Sequence, residues 1–168
     1  FVGRASDAGD DLGSQVVAAR MVREVMRLCF MMEKKYIPYS KHFGNGFRRL
    51  ACAKDLTPIM RKALMAGDFA TREKYMSEMY EYVARMHNAL GITDSVPVKV
   101  TKFVERPYLI IHAEDIDEAI KKQIKDPVLK NLKVKFGAVD QFADDTDFLT
   151  NFTREQKPFE KIRALYEY

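Results

Sequence analysis

Apolar residues recur at alternating spacings of four and three across residues 13–36, at Ala18, Val22, Val25, Cys29, Met32 and Tyr36. That rhythm is one stripe of an α-helix. A second stripe, Val17, Met21, Val25, Leu28 and Met32, lies beside it and widens the apolar face. The run LCFMM, residues 28–32, is apolar all round, the pattern of a helix packed on several sides. Arg20, Arg23, Arg27 and Lys34 fill much of the remaining face, and Pro38 pushes Ile37 out of helical geometry to end the element. The preceding residues 1–12 are small and acidic and read as a lead-in, with Asp11 or Ser14 available as the helix cap.

The same rhythm returns at Phe69, Met76, Met79 and Tyr80, Val83, Met86 and His87, and Leu90. It predicts a second long core helix, capped by Asp68 and stopped at Gly91. Between the two, a short helix is expected over residues 47–54. Another is expected to begin at Thr57-Pro58, an N-cap followed by proline at the first helical position, and to stop at Gly67. From residue 92 to 105 the pattern loosens around Pro97 and alternates at Val98 and Val100. Residues 107–113 (PYLIIHA) are β-branched and extended, either one isolated strand or a segment laid across the helices. Ile116, Ala119, Ile120 and Ile124 make a third amphipathic helix, ended by Asp126-Pro127, and Thr153 with Gln156 fits a capping box for a last one. The expected fold is mainly α, a helical bundle with two long core helices and a short irregular or stranded insertion.

A length of 168 residues suits a single helical domain, and 47% hydrophobic with 31% charged residues describes an ordinary globular chain. No apolar run reaches the length of a membrane span. The sequence begins with Phe1, and we read it as the C-terminal part of a longer protein. Cys29 and Cys52 both lie in helical, apolar contexts and suggest no disulfide framework, which fits a reducing cytoplasm. The charge is uneven: residues 1–66 carry 12 Lys/Arg against 6 Asp/Glu, and the remaining residues 16 against 18. A basic half can face phosphates, or simply solvate helix surfaces. Its cations are not interleaved with aromatics, so sequence-specific nucleic-acid recognition is not expected.

Chemistry concentrates in two loops. Tyr39, Ser40, Lys41 and His42 crowd a segment bounded by Pro38 and Gly44 at the end of a long helix, where Lys41 can meet a nucleotide phosphate as a point charge. Arg23 and Arg27, at helical spacing, can add positive potential. The second loop holds Asp140, Gln141, Asp144, Asp145 and Asp147. These carboxylates suit helix capping, Mg²⁺ or polar contacts with another domain, but lack the ligand spacing of an EF-hand. His87, near a helix C-terminus, reads as a core or dipole-facing histidine. The three histidines and two cysteines form no zinc-spaced cluster, and no metal ligand is assigned. Arg106 and His112, five residues between them, match a pattern of helical ribonuclease toxins, but Pro107 and Ile110-Ile111 favour extended chain there.

Taken together, FVGR with GDDLGS, VREVMRLCFMMEKKYIPYSKHFG, MHNALG, RPYLIIHA and GAVDQFADDTDFL resemble the C-terminal region of an uncharacterised bacterial family, a domain of unknown function. The resemblance runs in order over nearly the whole chain; His42 departs from it, standing where an aromatic such as Trp is expected. In that family the helical region follows an N-terminal nucleotidyltransferase-like domain. The resemblance therefore implies that NTP, Mg²⁺ and the metal-binding carboxylates belong to that domain and to the intact protein. It also implies that the helical part can send a lysine toward the triphosphate and supply a carboxylate base, for which Glu33 is the nearest acid. Gly13-Ser14 and Asp145-Thr146-Asp147 mimic the metal motif but stand far apart and outside a strand-rich context. The expected function is an accessory or substrate-binding domain of a nucleotidyltransferase, forming one wall of the nucleotide/acceptor cleft, with no transfer activity of its own. Its expected partners are the N-terminal domain and a nucleotide or small-molecule acceptor. Alternatives are a helical interaction module without a catalytic role and a ribonuclease-type helical domain.

Overall fold

A computed structural model describes residues 1–131. The chain divides into two compact units, Phe1–Gln123 and Ile124–Tyr168. The first is mainly helical: α1 (Val2–Asp7), α2 (Asp11–Met32), α3 (Phe43–Phe47), α4 (Ala53–Leu64), α5 (Phe69–Ala89), a hairpin of β1 (Thr101–Lys102) and β2 (Leu109–Ile110), and α6 (Ala113–Gln123). The strands pair antiparallel, Thr101 opposite Ile110 and Lys102 opposite Leu109. The described part of the second unit holds α7 (Pro127–Lys130), whose N-cap Asp126 accepts the N–H groups of Val128 and Leu129. Asp126-Pro127 thus opens a helix as well as following one. The expected last helix at Thr153 lies outside the described residues.

The two long helices stand where the apolar rhythm puts them, but their ends obey local chemistry. Residues 1–12 are no lead-in, because Val2–Asp7 is helical. The cap of α2 is Asp10, which accepts Gly13 N–H at 2.7 Å, and neither Asp11 nor Ser14. At the other end α2 stops four residues before Tyr36. Lys34 takes a left-handed φ of 53°, Lys35 N–H reaches Phe30 C=O at 2.8 Å, and Lys34 N–H reaches Met31 C=O at 3.0 Å. That paired closure is a Schellman motif, with lysine in the position glycine usually takes. Tyr36 is consequently outside the helix and 95% exposed.

Three helices share the core. Ala18, Val22, Val25, Cys29 and Phe30 of α2 meet Leu56, Met60 and Ala63 of α4 and Met76, Met79 and Val83 of α5. The buried contribution of α2 is made by small and β-branched residues with one phenylalanine, and Met26 and Met32 pack at its margin. Leu28 and Met31 are exposed, so the LCFMM run is packed on one side only. α4 begins five residues earlier than Thr57-Pro58 predicts, at Ala53 rather than Pro58. Glu33, beyond the end of α2, accepts the N–H groups of Ala51 and Cys52, both at 2.9 Å, and caps the turn that opens α4. Pro58 is thereby left inside the helix. Its missing N–H is tolerable because Pro58 and Lys54, whose carbonyl it would have reached, both face solvent. The helix expected over residues 47–54 is displaced to Phe43–Phe47, where Phe43 packs tilted and Phe47 edge-on against Phe30, with ring centroids 5.7 and 6.4 Å away.

α5 carries most of the polar fastenings. Its Asp68 cap binds Thr71 through N–H and hydroxyl, and Gly91 follows with φ 61°. Arg72 is fully buried, its guanidinium donating to Asp11 at 3.0 Å, to Ser14 Oγ at 2.9 Å and to Ala66 C=O at 3.0 Å. Further along, Glu73 accepts Leu109 N–H, Glu81 accepts Val100 N–H and Lys99 Nζ, and Asn88 holds both the N–H and C=O of Val96. His87, 2% exposed, contacts Thr93 Oγ1 at 2.8 Å, a satisfied core histidine. The loosely patterned stretch before the hairpin is therefore laid along α5 by hydrogen bonds, with buried Val96 as its apolar anchor.

Two outcomes follow. Asp11→Ala leaves a buried guanidinium without its carboxylate, and urea unfolding should show a loss of about 2–3 kcal/mol. Arg72→Met in that background should restore part of the loss, because it removes the charge that was stranded; additive losses would contradict this account. Glu33 gives the second. Burial alone would raise its carboxyl, but the Cys52 and Ala51 N–H groups outweigh it and hold the group below the usual glutamate range. A lowered folded-state pKa contributes stability that is present above the unfolded value and lost as pH falls through the folded one. Glu33→Gln should cost about 1 kcal/mol at pH 7, and melts at falling pH should show the two proteins converging below about pH 4.

Candidate functional site

The loop after α2 folds into a basic hollow. Tyr39 is extended (φ −54°, ψ 151°), and residues Ser40–His42 make one 3₁₀ turn closed by His42 N–H to Tyr39 C=O at 2.8 Å. α3 follows directly and brings the chain back under Pro38. Gly46 makes that return possible: a Cβ there would lie 2.6 Å from Pro38 Cγ and 3.2 Å from Phe30 Cζ. The result is a concavity of about 650 Å³ lined by Pro38, His42, Asn45, Gly46, Arg48 and Arg49.

Its electrostatics are one-sided. Arg48 donates to Asn45 Oδ1, and Lys41 Nζ lies 5.7 Å from the centroid of the Tyr39 ring. Tyr39 and His42 approach edge to face at 6.3 Å. Among the described residues no carboxylate forms an ion pair with Lys41, His42, Arg48 or Arg49. Glu33 is committed to Ala51 and Cys52 N–H, so it is placed as a cap and holds no position against a reacting group. Two guanidiniums able to grip an oxyanion with two donors, and the His42 imidazole beside them, thus line a solvent-open hollow, with Lys41 on the adjoining turn.

The residues that sequence reasoning selected divide accordingly. Tyr39, Lys41 and His42 stand together at this hollow, His42 lining it. Arg23 and Arg27 do not add a free positive face. Arg23 lies over the Phe43 ring at 5.9 Å and pairs with Glu24 at 3.3 Å, while Arg27 is buried and reaches Glu24 at 3.7 Å. Asp140, Gln141 and Asp144 lie outside the described residues. Arg106 and His112 belong to the hairpin and its flank, not to one face of a helix. Among the described residues no group of three or more His, Cys, Asp or Glu is arranged to hold a metal ion, and no helix is long and apolar enough to cross a membrane.

Arg48 and Arg49 are the functional candidates that the sequence pattern hid. They follow Gly-Asn-Gly-Phe, and a helix assigned to residues 47–54 turns them into ordinary solvated surface. Adjacent arginines directly after a glycine-bounded loop were the available signal.

A family model described as a domain of unknown function (DUF4037) matches residues 1–43, from α1 through the 39–42 turn. No curated protein and no solved structure shows significant similarity to the chain.

The hollow depends on the close approach at Gly46. Gly46→Val should push Pro38 away and cost about 1–3 kcal/mol by thermal or urea unfolding. Gly44→Ala, where a Cβ meets nothing within 4 Å, should be close to neutral. Equal effects at the two glycines would show that Gly46 is not the constraint.

Proposed function

We propose that this helical domain is the substrate-binding part of a nucleotidyltransferase, and that its basic hollow forms one wall of the nucleotide/acceptor cleft. One observation carries the reading: His42, Arg48 and Arg49 line an open concavity, with Lys41 on the adjoining turn, and none of them has a carboxylate partner among the described residues. Unpaired cations held by a proline- and glycine-fixed turn suit a triphosphate or another phosphorylated ligand. Lys41 supplies a mobile point charge, and Arg48 and Arg49 supply planar donors. The N-terminal nucleotidyltransferase-like domain implied by the resemblance would bring NTP, Mg²⁺ and the reacting carboxylates. The helical domain binds and orients, and transfers nothing alone. Two free, buried thiols suit a cytoplasmic setting.

The test is nucleotide affinity of the intact protein, wild type against Lys41→Ala and against Arg48→Ala with Arg49→Ala. Removing a cation that grips phosphate should cost about 1–3 kcal/mol, several-fold to a hundredfold in Kd. Unchanged affinity in folded variants would make the turn structural and favour the reading as a non-catalytic interaction module.

A further inference from the structure

A second concavity, of about 670 Å³, lies between the hairpin and the helices α1, α2 and α5. Its helical wall includes Val17, Met76 and Tyr80, and its hairpin wall Phe103, Leu109 and Ile110. Both walls are fixed. Leu109 N–H is held by Glu73 at 2.9 Å. Tyr108 packs edge to face on Phe69 at 6.2 Å, donates its hydroxyl to Asp7, and covers Gly3, where a Cβ would lie 2.4 Å from the Tyr108 ring. The groove is thus built into the first unit and has the volume of a small-molecule site.

Its charges point to one kind of occupant. Each carboxylate lining the groove already has a hydrogen-bond partner: Glu73 accepts Leu109 N–H, and Glu114 lies 3.2 Å from His112 Nδ1. Arg4 of α1 and Arg106 of the hairpin turn also line it, and neither has an ion pair among the described residues. Arg4 adjoins Gly3, which the Tyr108 ring covers, and Arg106 stands two residues from Tyr108, so both lie at the Tyr108 end of the groove, where the Asp7 carboxylate accepts the Tyr108 hydroxyl. An apolar trough with two uncommitted cations at one end complements a molecule with a hydrocarbon body and a single anionic head.

We propose that this groove binds a medium-chain acyl carboxylate, its chain lying between Met76 and Ile110 and its head group against Arg4 and Arg106. The site is separate from the basic hollow and does not rest on the nucleotidyltransferase reading.

The experiment is calorimetric titration of the 168-residue chain with decanoate, hexanoate and 1-decanol, below micellar concentrations. Decanoate should bind with a stoichiometry of one. Each methylene removed should weaken binding about threefold to fourfold, so hexanoate, four methylenes shorter, should be about a hundredfold weaker. Without a charged head group, 1-decanol should bind about tenfold more weakly or worse. Arg4→Ala with Arg106→Ala should weaken decanoate by a similar factor and leave 1-decanol unchanged, while Val17→Trp should obstruct both. Methionine methyl NMR of the unmutated chain keeps the proposal testable if a variant fails to fold: decanoate should shift Met21 and Met76, which line the groove, and leave the exposed Met31 and Met65 in place. No saturable binding to a chain that melts cooperatively overturns the proposal. So do equal affinities for decanoate and 1-decanol, an arginine double variant that binds decanoate like wild type, or shifts centred on Met31 or Met65.

Discussion

The fold turns on one buried guanidinium. A fully desolvated arginine is among the costliest groups a small domain can hold, and it persists only where its donors are met. Arg72 meets Asp11 and Ser14, one helical turn apart on α2, and the carbonyl of Ala66 just after α4; its Nε alone lacks a partner. Those contacts fix the rotation and the axial position of three helices at once. They also explain why the packing there is small: Ser14 and Ala18 are fully buried, letting α2 come close enough for the side chain to bridge. Asp10 completes the arrangement by fixing where α2 begins, and with it which face Asp11 and Ser14 occupy.

Glu33 does for the far end of α2 what Asp11 does for the near end. By capping the turn that opens α4 it joins segments 18 and 19 residues apart in sequence, and the basic hollow is formed by the chain lying between those two fixed points. α5, meanwhile, acts as a rail for the otherwise irregular residues up to the hairpin, through Glu73, Glu81 and Asn88. The two concavities therefore share a feature. Each borders a segment tied down by a carboxylate that accepts backbone N–H, Glu33 holding Ala51 and Cys52 and Glu73 holding Leu109.

Much of this was legible in the sequence. Periodicity located α2 and α5, Asp68 and Gly91 marked the ends of α5, and the β-branched run before Ala113 became a paired strand. What stayed hidden depends on contacts distant in sequence. No local pattern tells that Glu33 will cap a turn near Ala51, so Thr57-Pro58 looked like a helix start. No spacing rule tells that Arg72 turns inward while Arg20 faces solvent. The Schellman closure at Lys34 was invisible because a lysine stands where the motif usually shows glycine. At the candidate site the sequence found Tyr39, Lys41 and His42 through their proline- and glycine-bounded loop. It missed Arg48 and Arg49, whose role depends on the chain folding back at Gly46.

The two thiols of the core carry a consequence for handling and probing this protein. Burial pushes Cys29 up to about 11, despite a hydrogen bond from Cys52, and burial with the nearby Glu33 pushes Cys52 higher still. At neutral pH both are protonated, shielded and slow to react, since alkylating and oxidising agents attack the thiolate. Cys29 lies on α2, and Cys52 on the turn that leads from the hollow into α4. Reagent reaches either sulfur mainly when those helices part, so the rate of alkylation reads out how often the core opens, a native clock that needs no engineered label.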